Sequence, residues 1–172
     1  MARYEAIAGQ SELSLDANSS VHPIHTRVDR VEAWFEAELN GDGSFDLSSP
    51  ASGLLTVYVE DLKSGNALID RVMQGRLNIR RYPAIKAALK ELRETGEAGH
   101  YRAVGDISFH GVTHQMEDEL TISQTDGDAI EISGSTTVDV RRFNVEPPRL
   151  FVLKVEPEVK VTLKVVARRV DP

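Results

Sequence analysis

The chain contains no cysteine, which excludes disulfides, thiolate metal sites and cysteine nucleophiles. Positive charge is also short: 20 Lys and Arg stand against 27 Asp and Glu, a net charge of −7. Nucleic-acid binding needs cations gathered on one face. Here they are scattered, apart from Arg80-Arg81, Arg141-Arg142 and Arg168-Arg169, and no nucleic-acid partner is expected. No apolar run approaches the length that crosses a bilayer, so no integral membrane segment is expected. The first ten residues lack the apolar region of a secretory signal, which makes a cytoplasmic location the default expectation. Catalytic signatures are missing too. There is no Gly-x-Ser-x-Gly elbow, Walker loop or His-Glu-x-x-His helix. No catalytic residue is assigned, no cofactor is expected, and the protein is read as a non-enzyme.

What the sequence does have is alternation. At 172 residues the length suits one domain, 1–172, that buries roughly 70% of its unfolded surface. The clearest stretch is residues 105–120. Ile107 and Phe109 alternate with Asp106, Ser108 and His110. After Gly111, the apolar Met116, Leu120 and Ile122 alternate with Gln115, Glu117, Glu119 and Thr121, and Asp118 is the one misfit on the apolar side. A period of two puts one set of side chains on each face of a sheet. Glycine at 111 allows the dihedrals of a sharp reversal.

Similar alternation recurs along the chain. Leu13 and Leu15 open a first segment, followed by Asp16-Ala17-Asn18-Ser19-Ser20, read as a turn. Residues 21–25 make a short strand candidate that Pro23 confines to an edge or bend. Val31, Phe35 and Leu39 share one face of the next strand, with Trp34 among the glutamates of the other. Asn40-Gly41 then signals a hairpin. With Ser44 and Asp46 this turn faintly resembles a calcium loop, but Phe45 and Ala51 stand where glycine and glutamate are required. Leu55, Val57 and Val59 continue the pattern. From 67 to 79 the period lengthens, with Leu68, Val72, Gly75 and Arg76 three or four apart, which predicts a short helix. Residues 84–92 suit either element: propensity favours a helix, while Ile85, Ala87 and Leu89 suit a strand. Asp126-Gly127 predicts a turn into the strand of Ile130, Ile132 and Val138, and residues 141–148 read as an irregular piece. Val159, Val161, Leu163 and Val165 form the last strand. About eight strands, one short helix and no βαβ rhythm predict an all-β fold, an antiparallel eight-stranded barrel. Closure removes exposed edges, and eight strands can just enclose a small ligand.

Gly105-Asp106-Ile107-Ser108-Phe109-His110-Gly111-Val112-Thr113 resembles the Gly-Asp-Leu-Thr-Ile-His-Gly-Val-Thr signature of the YceI-like family. The resemblance extends to Leu62, Ser64-Gly65-Asn66, Asp70-Arg71 and Tyr82-Pro83, and again to Thr137-Val138-Asp139-Val140-Arg141-Arg142-Phe143, with Asn144 where the family usually has glycine. It spans residues 13–166. Asp16-Ala17-Asn18-Ser19-Ser20 departs from the family by lacking a histidine. The resemblance implies a lipocalin-like barrel whose tubular interior holds a long isoprenoid chain, in a family commonly periplasmic or secreted and linked to isoprenoid quinones or stress. It also implies that residues 84–92 form a strand.

On that basis the channel-lining candidates are Val31, Phe35, Val57, Val59, Ile107, Phe109, Leu120, Ile132 and Leu163, with Arg71, Arg141 and Arg142 as candidate mouth residues. The expected partner is an apolar, isoprenoid-type small molecule held without catalysis. The alternative is a ligand-free stress-response or protein-interaction scaffold, with the same residues as a filled core. Trp34 marks a candidate edge for a homodimer contact. His110 with His114, and His22 with His25, are donor pairs without the third and fourth ligands a metal site needs, so no metal is assigned.

Overall fold

The computed structural model describes residues 1–125 and 127–170. The chain begins with β1 (Ala2–Ala6), β2 (Glu12–Ser19), β3 (Ile24–Val28), β4 (Glu32–Leu39), the two-residue β5 (Phe45–Asp46) and β6 (Ser52–Tyr58). A 3-10 turn, η1 (Val59–Asp61), leads to the helix α1 (Ala67–Leu77). Then follow β7 (Ala84–Glu94), β8 (His100–Phe109), β9 (Val112–Gln124), β10 (Ala129–Asp139), a second 3-10 turn η2 (Val140–Phe143), β11 (Arg149–Leu150) and β12 (Leu153–Val170). Of the turn expected at Asp126-Gly127, Asp126 lies outside the described residues.

The strands close into an antiparallel eight-stave barrel because β12 is long enough to serve two partners. Its last residues pair with β1, Arg3 opposite Val170, while its earlier part pairs with β2, Leu13 opposite Leu163. β1 and β2 therefore make one stave in two sections. Buried Ser11 sits at their junction and its hydroxyl accepts from the Val166 amide at 3.2 Å. β3 and β4 form the next stave in the same way, β3 against β2 and β4 against β1. From β4 the ladder runs through β6, β7, β8, β9 and β10 back to β12.

Local chemistry accounts for the elements. His110 and Gly111 both take positive φ, 54° and 75°, the geometry of a two-residue hairpin turn whose twist matches its strands. Asn66 caps α1, its side chain accepting from the amides of Leu68 and Ile69, and Asn78 ends the helix in the left-handed conformation. Asn144, in the usual glycine position, ends η2 at φ 57°, a conformation that asparagine tolerates.

Several expectations are corrected. The turn expected over residues 16–20 is strand as far as Ser19, because Asp16 and Ala17 are laddered on both sides, to β12 and β3. The reversal falls at residues 20–23, and the short strand starts only at Ile24. β1 went unread, its five residues being too few to show a period. The helix turns Ile69, Met73, Arg76 and Leu77 inward, not Leu68, which is exposed. Trp34 is not at an edge: β4 is flanked by β1 and β6, and the Arg3 guanidinium lies 4.5 Å over the indole.

Candidate functional site

The two ends of the barrel are finished differently. At one, rings form a chain: Tyr4 to Phe35 at 6.2 Å, Phe35 to Phe45 at 5.4 Å, Phe45 to Tyr101 at 6.0 Å. The short β4–β5 hairpin carries Phe45 over the opening. Burial pushes the phenols of Tyr4 and Tyr101 above their ordinary pKa. At the other end η2 drives Phe143 into the barrel, fully buried, 5.6 Å from the Phe109 ring and edge-on to His114 at 5.1 Å. Two histidines hold it there. His110 Nδ1 donates to the Phe143 carbonyl at 3.1 Å, and His114 Nε2 to the Arg142 carbonyl at 2.7 Å. α1 lies across the remainder of this end.

Between the ends runs a cavity of about 410 Å³, within the range of ligand pockets. Phe35, Val57, Ile107, Phe109, Leu120, Ile132 and Leu163 stand on its wall, as do Ile69, Met73 and Leu77 of the helix. Val31 and Val59 do not. Both are buried, but Val31 precedes β4 at the bend of its stave and Val59 has left β6 for η1, so alternation no longer aims them at the bore. The mouth candidates also lie elsewhere. Arg71 and Arg142 are exposed, and Arg141 forks onto Asp139 at 2.7 and 3.0 Å, holding that carboxyl below its usual pKa. The basic side chain on the wall is Arg76, paired with Glu146 beside Pro147 and Pro148. Its place on the inward face of the helix was the available signal.

The polar lining, Thr26 of β3 apart, falls in two places. Ser64, Arg76 and Glu156 lie at the helix end. Asp118, Glu119, Ser135 and Thr136 mark a seam in the wall. β9 and β10 pair only from Gln124–Ile130 to Thr121–Ser133. Beyond that, β9 continues against β8 down to Val112 and β10 against β12 up to Asp139. Leu120 lies across the start of the gap, so close to Gly134 that a Cβ there would come within 2.8 Å of its methyl. Asp118, the misfit of the alternation, faces this seam.

The histidine pairs do not converge on a metal. His22 bonds the Pro23 carbonyl at 2.9 Å and His25 meets Asp16 at 2.5 Å. Among the described residues no three metal-binding side chains cluster.

The sequence pattern of the YceI-like domain matches residues 7–167. The chain belongs to the YceI-like family. Solved structures that resemble this YceI-like chain agree in fold. BcnA of Burkholderia cenocepacia superposes with a TM-score of 0.77 at 16% identity, covering 94% of this chain and 98% of its own. A polyisoprenoid binding domain from Saccharophagus degradans, implicated in plant cell wall breakdown, gives 0.74 at 12% identity, over 96% and 97%. The Campylobacter jejuni YceI protein gives 0.61 at 14%, over 80% and 82%. No curated relative matches by sequence.

Proposed function

We propose that this YceI-like barrel holds a long apolar ligand of isoprenoid type, a polyprenol, prenyl phosphate or isoprenoid quinone, and releases it unchanged. The observation that carries the reading is the cavity: about 410 Å³, walled by inward aliphatic and aromatic side chains, with polar groups, Thr26 apart, at the helix end and the seam. Burying a prenyl chain there yields roughly 25 cal/mol per Å² before ordering costs, so a dry bore needs no charged contact to bind. Arg76 is the group placed to meet a polar head at the helix end. The likeness to a polyisoprenoid binding domain supports the same ligand class.

The experiment is solvent extraction of the purified protein followed by mass spectrometry, with uptake of radiolabelled geranylgeraniol measured by its co-elution with the protein in gel filtration. The expected result is a co-purified prenyl lipid or saturable uptake. Ile107→Trp, which fills the bore without adding charge, is expected to lower uptake at least about tenfold while circular dichroism stays that of the parent. No lipid and no uptake by the parent protein sinks the proposal.

A further inference from the structure

Outside the cavity's helix end is an apolar tip that packing does not explain. β11 and β12 form a hairpin, Leu150 opposite Leu153 and Arg149 opposite Lys154. At its turn Phe151 is 89% and Val152 84% exposed. Phe151 also sits at φ 53°, a conformation that bulky side chains avoid and that Gly or Asn adopts readily. A phenylalanine here is strained and exposed to water, and folding stability gives no reason for it. The pair below it is just as unfavourable, since like charges directly opposite weaken an antiparallel ladder. Among the described residues neither Arg149 nor Lys154 is ion-paired; the nearby bridges are Arg76–Glu146 and Arg141–Asp139.

Neighbouring elements extend the tip. Ser20 binds it closely, its hydroxyl donating to the Val152 carbonyl at 2.7 Å and accepting from the Lys154 amide at 2.9 Å, and the next residue, Val21, is 57% exposed. α1 packs on β11 through Ile69, which meets Leu150 and Leu153. Its outer side shows exposed Leu68 and, three residues on, Arg71. Aromatic and aliphatic side chains ringed by unpaired cations match the head-group zone of an anionic bilayer.

We propose that this tip docks the barrel on an anionic lipid surface, with Phe151 and Val152 entering the interface and Arg149, Lys154 and Arg71 on lipid phosphates. The remaining surface favours the orientation. A body of net charge −7 is repelled by such a membrane while the tip, with Arg149, Lys154 and Arg71 outside any ion pair among the described residues, is drawn in. A second copy of the chain suits the tip poorly, because tip-to-tip contact brings four cations of Arg149 and Lys154 together. Docking turns the helix end of the cavity toward the bilayer. Its purpose rests on the ligand reading above, although the docking itself stands on the tip alone.

The test is co-sedimentation with vesicles of phosphatidylcholine, or of equal parts phosphatidylcholine and phosphatidylglycerol. The parent is expected to pellet with the anionic vesicles and to be released by salt. Each basic residue at such a surface contributes roughly a fivefold factor, so R149E with K154E is expected to lower partitioning by about twenty-five-fold or more. Phe151→Asn with Val152→Ser is expected to lower it about tenfold and to raise thermal stability, asparagine fitting the turn. The same double variant still takes up geranylgeraniol from ethanol, which separates docking from the cavity. A parent that stays in the supernatant, a tip variant that pellets like the parent, or a dimer abolished by Phe151→Asn overturns the proposal. A parent that docks but takes up no geranylgeraniol upholds it and removes the cavity reading instead.

Discussion

The two ends of the barrel solve one problem by unlike means. The Tyr4–Phe35–Phe45–Tyr101 end is closed by rings standing directly on strands, Phe45 on the two-residue β5. The helix end is closed by parts that are not staves: α1, η2 with Phe143, and the β11–β12 hairpin. Rings packed against one another on laddered strands have little room to turn. A helix and a 3-10 turn attached by loops shift while every ladder stays intact, and local opening follows the elements with fewest strand bonds. On the ligand-holding proposal, the difference gives the static role to the aromatic end and exchange to the helix end, where Arg76 and the exposed tip also lie.

Truncating one plug at each end is the sharpest way to break this comparison. Phe143→Ala, at a fully buried ring, is expected to cost about 3–5 kcal/mol in urea unfolding. Half-buried Phe45→Ala is expected to cost roughly 1–2 kcal/mol. Equal losses would mean that the ends are energetically alike. At the seam, Gly134→Ala brings a Cβ to 2.8 Å from the Leu120 methyl, which can swing aside, and to 3.1 Å from the Glu119 carbonyl, which cannot, a loss of roughly 1 kcal/mol; thermal melts of this variant and of Gly134→Ala with Leu120→Ala, which removes the methyl, distinguish side-chain crowding from the backbone contact. Gly75, inside α1 with open space around its missing Cβ, behaves oppositely. Gly75→Ala is expected to gain about 0.5–1 kcal/mol and to slow uptake of geranylgeraniol if the helix is the moving part. Unchanged uptake would point to the seam as the route. The smallest effect is at Asp139, whose half-buried carboxyl is held below the ordinary carboxylate range first by the Arg141 side chain and then by the Arg141 amide. A depressed pKa contributes stability above that range and loses it as pH falls through the folded value. Asp139→Asn is therefore expected to lower the melting temperature slightly at neutral pH and to converge on the parent in acid.

Where one face was buried and the other wet, the strands were legible. Residues 107–109 and 130–138 alternate cleanly because their ladders are regular. Residues 84–92, a strand as the resemblance implied, were ambiguous by pattern for a structural reason. β7 carries a bulge between Leu89 and Glu91, so its buried side runs Ile85, Ala87, Leu89 and then Leu92, and the final step of three imitates a helix turn. The opposing Gly105 is tied to the same strand, since a Cβ there would sit 2.6 Å from the Ala88 carbonyl. β12 hides similarly. Its register shifts between Val155 and Val159 around Pro157, so only its regular part, from Val159, was readable. Alternation names the inward face and not what that face meets, which is why Val31 and Val59 were grouped with residues that line the bore. Arg76 shares a helix face with Ile69 and Met73, a spacing visible in the sequence, and the place of the helix over the bore is what turns that face into lining.

The seam between β9 and β10 has a mechanical consequence. A tube laddered on every side has a bore fixed by its strand count, because widening it means breaking hydrogen bonds. Here one joint is unzipped beyond Thr121 and Ser133 and is stopped mainly by the Leu120 side chain resting on Gly134. Such a wall yields like a split collar. If the barrel holds a ligand as proposed, its diameter adjusts by swinging a leucine, at no cost in backbone pairing, and guests of unequal girth fit the same eight staves.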